Sequence, residues 1–113
     1  QLARVIAQIW SEGNLEGKLL ILDEPTSYLD IKHQLSLFEF LKKMNEKGLT
    51  IITVLHDLNH AIMISDKIML LKAAKLINYG TVSDVVNSDV LKNVFGVELA
   101  VINDRYNRLL VTF

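Results

Sequence analysis

LLILDEPTSYLD, residues 19–30, runs four apolar residues into two adjacent carboxylates, a proline, a turn and a third carboxylate. With Lys18 in front, KLLILD (18–23) is too short for a helix between its flanking breakers. It is apolar without alternation, which predicts a strand buried on both faces. Pro25 fixes the backbone, so Thr26 and Ser27 begin a tight turn, and Asp30 stands where it can cap a helix. Ile31, Leu35, Phe38, Leu41 and Met44 share one face of that helix, and Gly48 can end it. LTIITVL (49–55) is β-branched and apolar, a second buried strand. Strand, helix and strand with short links form a βαβ unit, so the expected class is α/β with a parallel sheet.

Outward from this unit the pattern continues. QLARVIAQIW (1–10) places Leu2, Val5, Ile6, Ile9 and Trp10 at helical spacing and opens on Gln1, so the sequence reads as beginning inside an amphipathic helix. SEGNLEG (11–17) reads as a surface loop. Downstream, Asp57 can cap a helix carrying Leu58, Ala61 and Ile62, while KIMLLK (67–72) and KLINYG (75–80) read as a hairpin joined through Ala73 and Ala74. This turn lacks glycine, so Ala74 must either avoid positive φ or bear strain. TVSDVVNSDVLKNVFG (81–96) holds two short helical patterns, the second capped by Ser88 or Asp89, and VELAVINDRYNRLLVTF (97–113) reads as two strands around Asn103 and Asp104.

Composition narrows the function. The 113 residues are 50% hydrophobic and 22% charged, a globular balance that allows one sizeable core. A formal charge of −1 gives no electrostatic footprint for nucleic acid and no polybasic membrane anchor. With no cysteine, disulfide and thiol chemistry are excluded.

The chemistry concentrates at one strand end. In parallel sheets ligands collect beyond the carboxyl ends of strands, where Asp23 and Glu24 lie. Alternation sends their side chains to different sides, so one can hold Mg²⁺ while the other orients or deprotonates water in phosphoryl transfer. The plain alternative is a solvated acidic turn in which Asp23 caps local backbone. His56 follows the second strand at the same sheet end, within reach of a phosphate held near the carboxylates. Asp30 serves as a helix N-cap and is free to take a second role. His33, His56 and His60 lack compact ligand spacing for zinc, Trp10 and Phe38 read as core or subunit-contact aromatics, and Arg105 with Arg108 reads as solvated turn charge.

LLILDEPTSYLD resembles the Walker B segment and D-loop of ATP-binding-cassette (ABC) transporter ATPases, and TVLHDLNHA (53–61) resembles their switch-histidine region. QLARVIAQIW followed by a polar insertion, DIKHQ (30–34) and VLHDLN (54–59) are similar to bacterial haem and iron-chelate importer ATPases. The resemblance implies the C-terminal part of a P-loop NTPase domain at 1–96, a largely parallel sheet flanked by helices, with 97–113 as a β-like extension. It implies Asp23 as the Mg²⁺-coordinating carboxylate, Glu24 as the catalytic base, His56 as the switch residue near the γ-phosphate, and Asp30 as a D-loop residue at the partner subunit. ATP and Mg²⁺ are the implied cofactors. A second ATPase subunit, transmembrane permease subunits and, indirectly, an extracytoplasmic substrate-binding protein are the implied partners, without nucleic acid, on the cytoplasmic face of the membrane.

The chain also departs from the family pattern. It contains no glycine-rich phosphate loop and no LSGG signature, so the 113 residues alone are expected to hydrolyse ATP negligibly and to self-associate through an exposed edge or apolar face. Tyr28 stands where the family commonly has a small residue. A cassette ATPase of DNA repair or chromosome organisation, and a non-catalytic interaction fragment, are the competing readings.

Overall fold

The computed structural model describes Arg4, Ala7 and residues 13–113, so the N-terminal amphipathic pattern and Trp10 lie largely outside the described residues. The chain divides into two compact units, 1–56 and 57–113. Each has its own apolar cluster, where composition alone had suggested one core.

In the first unit, β1 (Leu19–Asp23) and β2 (Thr50–Val54) pair in parallel, with Leu19 opposite Thr50 and Asp23 opposite Val54. They are joined through α1 (Ile31–Glu46). Leu20 and Leu22 point into a cluster with Leu15, Leu37, Leu41, Met44 and Leu49. The opposite face of the pair is open: Leu19 is 50% exposed and Ile21 65%. Burial on both faces is therefore not observed among the described residues. Phe38, Leu41 and Met44 are buried as expected, but Ile31 and Leu35 are exposed and Leu37 is buried, because α1 meets the core along its second half.

Gly48 closes α1. Its φ is +100°, its N–H donates to Asn45 O at 2.9 Å, and the Leu49 N–H donates to Met44 O at 3.1 Å, the paired bonds of a Schellman cap. The accompanying apolar contact is supplied by Leu49 and Met44, both in the cluster. A Cβ on Gly48 would lie 2.7 Å from Glu16 Cγ and 2.9 Å from Glu16 N. Gly48→Ala should therefore cost about 1–3 kcal/mol, read as a lower urea midpoint with unchanged slope. The SEGNLEG loop is less superficial than its polarity suggests, since Leu15 is fully buried and its N–H donates to Lys47 O at 2.7 Å.

In the second unit, α2 (Leu58–Ile64) leads to an antiparallel hairpin of β3 (Lys67–Lys72) and β4 (Lys75–Thr81). Then come α3 (Val82–Val85), α4 (Ser88–Phe95) and a second antiparallel hairpin, β5 (Ala100–Asn103) and β6 (Leu109–Thr112). Ile68, Leu70, Val85, Val86 and Leu91 form its cluster, and Val101 and Val111 of the last hairpin pack on it. Asn59 ties α2 to that hairpin, donating to Val111 O at 3.1 Å and accepting from Val111 N at 2.8 Å. Asp30 and Asp57 cap their helices as expected, whereas α4 is capped by Asn87, one residue ahead of Ser88.

A largely parallel sheet is thus overturned. The α/β class stands, but the described strands form three two-stranded sheets, of which only β1–β2 is parallel. The reason is connection length. A parallel pair needs a crossover such as α1, while the short turns at 73–74 and 104–108 can only return the chain antiparallel.

The Ala73–Ala74 turn bears the strain its sequence implied. Both residues are left-handed, with φ of 50° and 61°, the requirement of a type I′ hairpin turn. Replacing the pair by Asn-Gly should raise stability by about 1–2 kcal/mol, measured as a higher thermal midpoint. The 104–108 turn is held by Asp104, whose Oδ1 accepts from the N–H groups of Tyr106 and Arg108 and whose Oδ2 accepts from Arg108 Nε at 2.7 Å. Arg108 is therefore paired, and both it and Arg105 flank the Tyr106 ring.

The backbone N–H of Arg108, then its guanidinium, then the Tyr106 N–H hold the Asp104 carboxyl below its ordinary value of 3.8. A carboxyl depressed on folding stabilises the native state above its unfolded value, and that contribution is lost as pH falls through the folded value. Asp104→Asn should therefore be less stable than the parent chain at neutral pH. The gap between their urea midpoints should close well below 3.8.

Candidate active site

Where β1 ends, the Glu24 N–H donates to Val54 O at 2.9 Å, extending the strand pairing by one residue. The backbone then turns sharply. Glu24 has φ +48°, a left-handed conformation that costs a non-glycine residue about 1–2 kcal/mol. Strain of this kind at a carboxylate is a pointer to function. Asp23 and Glu24 both line one open depression of about 320 Å³, together with Ser27 and Tyr28.

The turn is built locally. Ser27 N–H donates to Glu24 O and Leu29 N–H to Thr26 O, both at 3.2 Å. Tyr28 is also left-handed, with φ +70°, and fully exposed. Gln34, in α1, reaches back to Leu29 O at 3.1 Å and fastens the turn to the helix. Asp30 does not line the depression. Its Oδ1 accepts from the His33 N–H at 2.9 Å and lies 2.6 Å from His33 Nδ1. The backbone N–H, followed by the imidazole contact, holds the Asp30 carboxyl below its ordinary range.

His56 is two residues beyond Val54, the residue opposite Asp23. Its Nε2 lies 2.5 Å from Glu24 Oε1, while Glu24 Oε2 accepts from Ser27 Oγ at 3.4 Å. His56 is 79% exposed and Glu24 40%, so the contact faces solvent. The structure thus brings Asp23, Glu24 and His56 to one sheet end and leaves Asp30 occupied as a cap. Ser27 and Gln34 were not singled out in the sequence, where a hydroxyl three residues past a carboxylate gives only a weak signal.

The donor set suits a hard cation. Mg²⁺ takes oxygen ligands, usually one or two carboxylates completed by substrate phosphates, and Asp23 with Glu24 offers carboxylates at an open surface. Among the described residues no cluster of three or more His, Asp or Glu side chains is arranged to bind a metal unaided. No described helix is long and apolar enough to cross a membrane.

No protein-family model matches the chain. Its sequence is 45% identical over 103 residues to the hemin import ATP-binding protein of Rhodopseudomonas palustris (strain BisB5), covering 90% of this chain and 40% of that protein. It is 44% identical over 100 residues to the iron(3+)-hydroxamate import ATP-binding protein of Bacillus subtilis (strain 168), covering 88% and 36%. It is 36% identical over 104 residues to the ferric enterobactin transport ATP-binding protein of Escherichia coli (strain K12), covering 91% and 36%. The chain therefore spans about two fifths of the length of these relatives. An inward-facing solved structure described as a metal-chelate type ABC transporter matches with a TM-score of 0.67 over 85% of this chain and 40% of that one. At 22% identity that match shows a common fold. With DEPT at the end of β1 and HDLN after β2, this chain resembles the nucleotide-binding domains of ABC transporter ATPases and is closely related to those of haem and iron-chelate importers.

Proposed function

We propose that this segment is part of the ATP-binding subunit of a bacterial ABC importer, in which ATP hydrolysis drives uptake of haem or another iron chelate. The observation that carries the proposal is the convergence of Asp23, Glu24 and His56 on one open sheet end, with Glu24 held in a strained backbone conformation. Asp23 is the carboxylate that would hold Mg²⁺, which when bound with ATP offsets charge on the transferred phosphoryl group. Glu24 accepts a proton from the attacking water, and His56 hydrogen-bonds a γ-phosphate oxygen. Asp30 keeps the D-loop turn in register with α1 and lies toward a second ATPase subunit. The further partners are membrane permease subunits and, through them, an extracytoplasmic binding protein, which places the subunit peripherally on the cytoplasmic face.

The segment carries no glycine-rich phosphate loop, so the triphosphate cradle must come from other residues. The test supplies that cradle. The matching stretch of the Bacillus subtilis iron-hydroxamate import ATP-binding protein is replaced by this one, and phosphate release is measured. Turnover within about tenfold of that parent is expected, a barrier change of about 1.4 kcal/mol. A folded, ATP-binding chimera without turnover would refute the proposal.

A further inference from the structure

Val111 gives both of its backbone groups to one side chain. Its N–H donates to Asn59 Oδ1 at 2.8 Å and its carbonyl accepts from Asn59 Nδ2 at 3.1 Å. A strand residue's N–H and carbonyl point to the same side, so at this position β6 turns its hydrogen bonds away from β5 and Asn59 stands where a third strand would pair. The other end of the clasp is the first turn of α2. That helix has seven residues, none of them fully buried, and it rests on the apolar cluster only through Leu58, Ala61 and Ile62. A helix of two turns is marginal by itself, and apolar contact is non-directional. The two bonds from Asn59 are directional, and they fix how α2 is rotated against the last hairpin.

We propose that Asn59 is a positioning residue for His56, with the last hairpin as its anchor. This rests on the reading of His56 as a γ-phosphate contact given above. His56 is joined on one side to the strand β2 and on the other to Asp57. Asp57 is bolted to α2, since its Oδ1 accepts from the His60 N–H and its carbonyl from the Ala61 N–H, each at 3.1 Å. The clasp therefore sets the C-terminal side of His56. Without it α2 rocks on its apolar contacts, and the imidazole spends time in directions that miss a phosphoryl oxygen. Residues 97–113 then serve the reaction through one side chain. Only a carboxamide presents a donor and an acceptor side by side. Asn59→Asp still accepts from the Val111 N–H but sets an oxygen against the Val111 carbonyl, and Asn59→Leu, of similar size, makes neither bond.

The test uses the chimera with the Bacillus subtilis protein, carrying all 113 residues of this chain. Asn59→Leu should lower kcat about fivefold to tenfold and leave KM for ATP within about twofold, the split expected when a transition-state contact is misplaced. Asn59→Asp should fall between it and the parent. Asn87→Ala removes the cap of α4 in the same unit and serves as the control for general destabilisation. It should leave kcat within about twofold of the parent. Deuterium uptake by residues 55–64 should rise in Asn59→Leu and not in Asn87→Ala. If Asn59→Leu loses its native circular dichroism, Asn59→Asp carries the comparison.

His56→Ala in the same chimera should lower turnover by about 10²-fold, the usual loss of one transition-state hydrogen bond. A loss there with parent-like kcat in Asn59→Leu would overturn the positioning role and leave His56 in place. Equal losses in Asn59→Leu and Asn87→Ala, or a raised KM with kcat unchanged, would overturn it as well. Undiminished turnover in His56→Ala would overturn the phosphate contact itself and the role of Asn59 with it.

Discussion

Glu24→Gln in the chimera proposed above should lower ATP turnover by about 10²–10⁴-fold while leaving ATP binding intact. The expectation follows from what the substitution keeps. A glutamine fits the same turn, retains the backbone bond to Val54 and preserves the size of the side chain at the depression. It loses the capacity to accept a proton from water. A loss confined to kcat, with nucleotide affinity preserved or increased, is the signature of a group used in the transition state. Near-normal turnover would remove Glu24 from the role of base and leave the acidic turn as a structural feature.

Leu49→Ala should have the largest effect on folding, about 2–5 kcal/mol. Leu49 is completely buried, seals the Schellman cap of α1 and leads directly into β2. Its removal would leave a cavity where Leu15, Met44 and the strand residues meet. Since a domain has only about 5–15 kcal/mol of net stability, the first unit should lose much of its margin. Urea unfolding followed by circular dichroism measures this, and a loss below about 1 kcal/mol would mean that the cluster collapses around the gap or contributes little.

What the sequence makes legible here is local. Asp30 and Asp57 precede apolar helical runs and do cap them, and Gly48 ends α1 because only glycine meets both its φ and its crowding against Glu16. The two residues between KIMLLK and KLINYG announce a hairpin even without glycine, at the expense of strain in Ala73 and Ala74. What stays hidden depends on pairing. Of the expected face of α1, Phe38, Leu41 and Met44 are buried, while Ile31 and Leu35 in its first turns stay exposed and Leu37 is buried in addition, a choice made by packing rather than by period. Likewise, an apolar run such as LLIL is compatible with one or two covered faces. The largely parallel sheet that the family resemblance implied is not made among the described strands, since β3–β4 and β5–β6, each legible as a hairpin, pair antiparallel across short turns.

The site divides the same way. DEPT and HDLN mark the chemistry in the sequence, but their meeting depends on the β1–β2 register, which sets Val54 opposite Asp23 and brings His56 to Glu24. No spacing rule reveals that Glu24 is left-handed or that Ser27 and Tyr28 join both carboxylates around one depression. Nor does helical periodicity disclose the Asn59 clasp on Val111, which joins positions 52 apart.

The most direct measurement is a crystal structure of the Glu24→Gln chimera with ATP and Mg²⁺ bound. Asp23 should lie beside the metal, with the side chain at position 24 facing a water in line with the γ-phosphate and His56 Nε2 turned onto a γ-phosphate oxygen. A folded, nucleotide-loaded structure in which His56 points away from the phosphate and Asp23 stands clear of the metal would contradict the account.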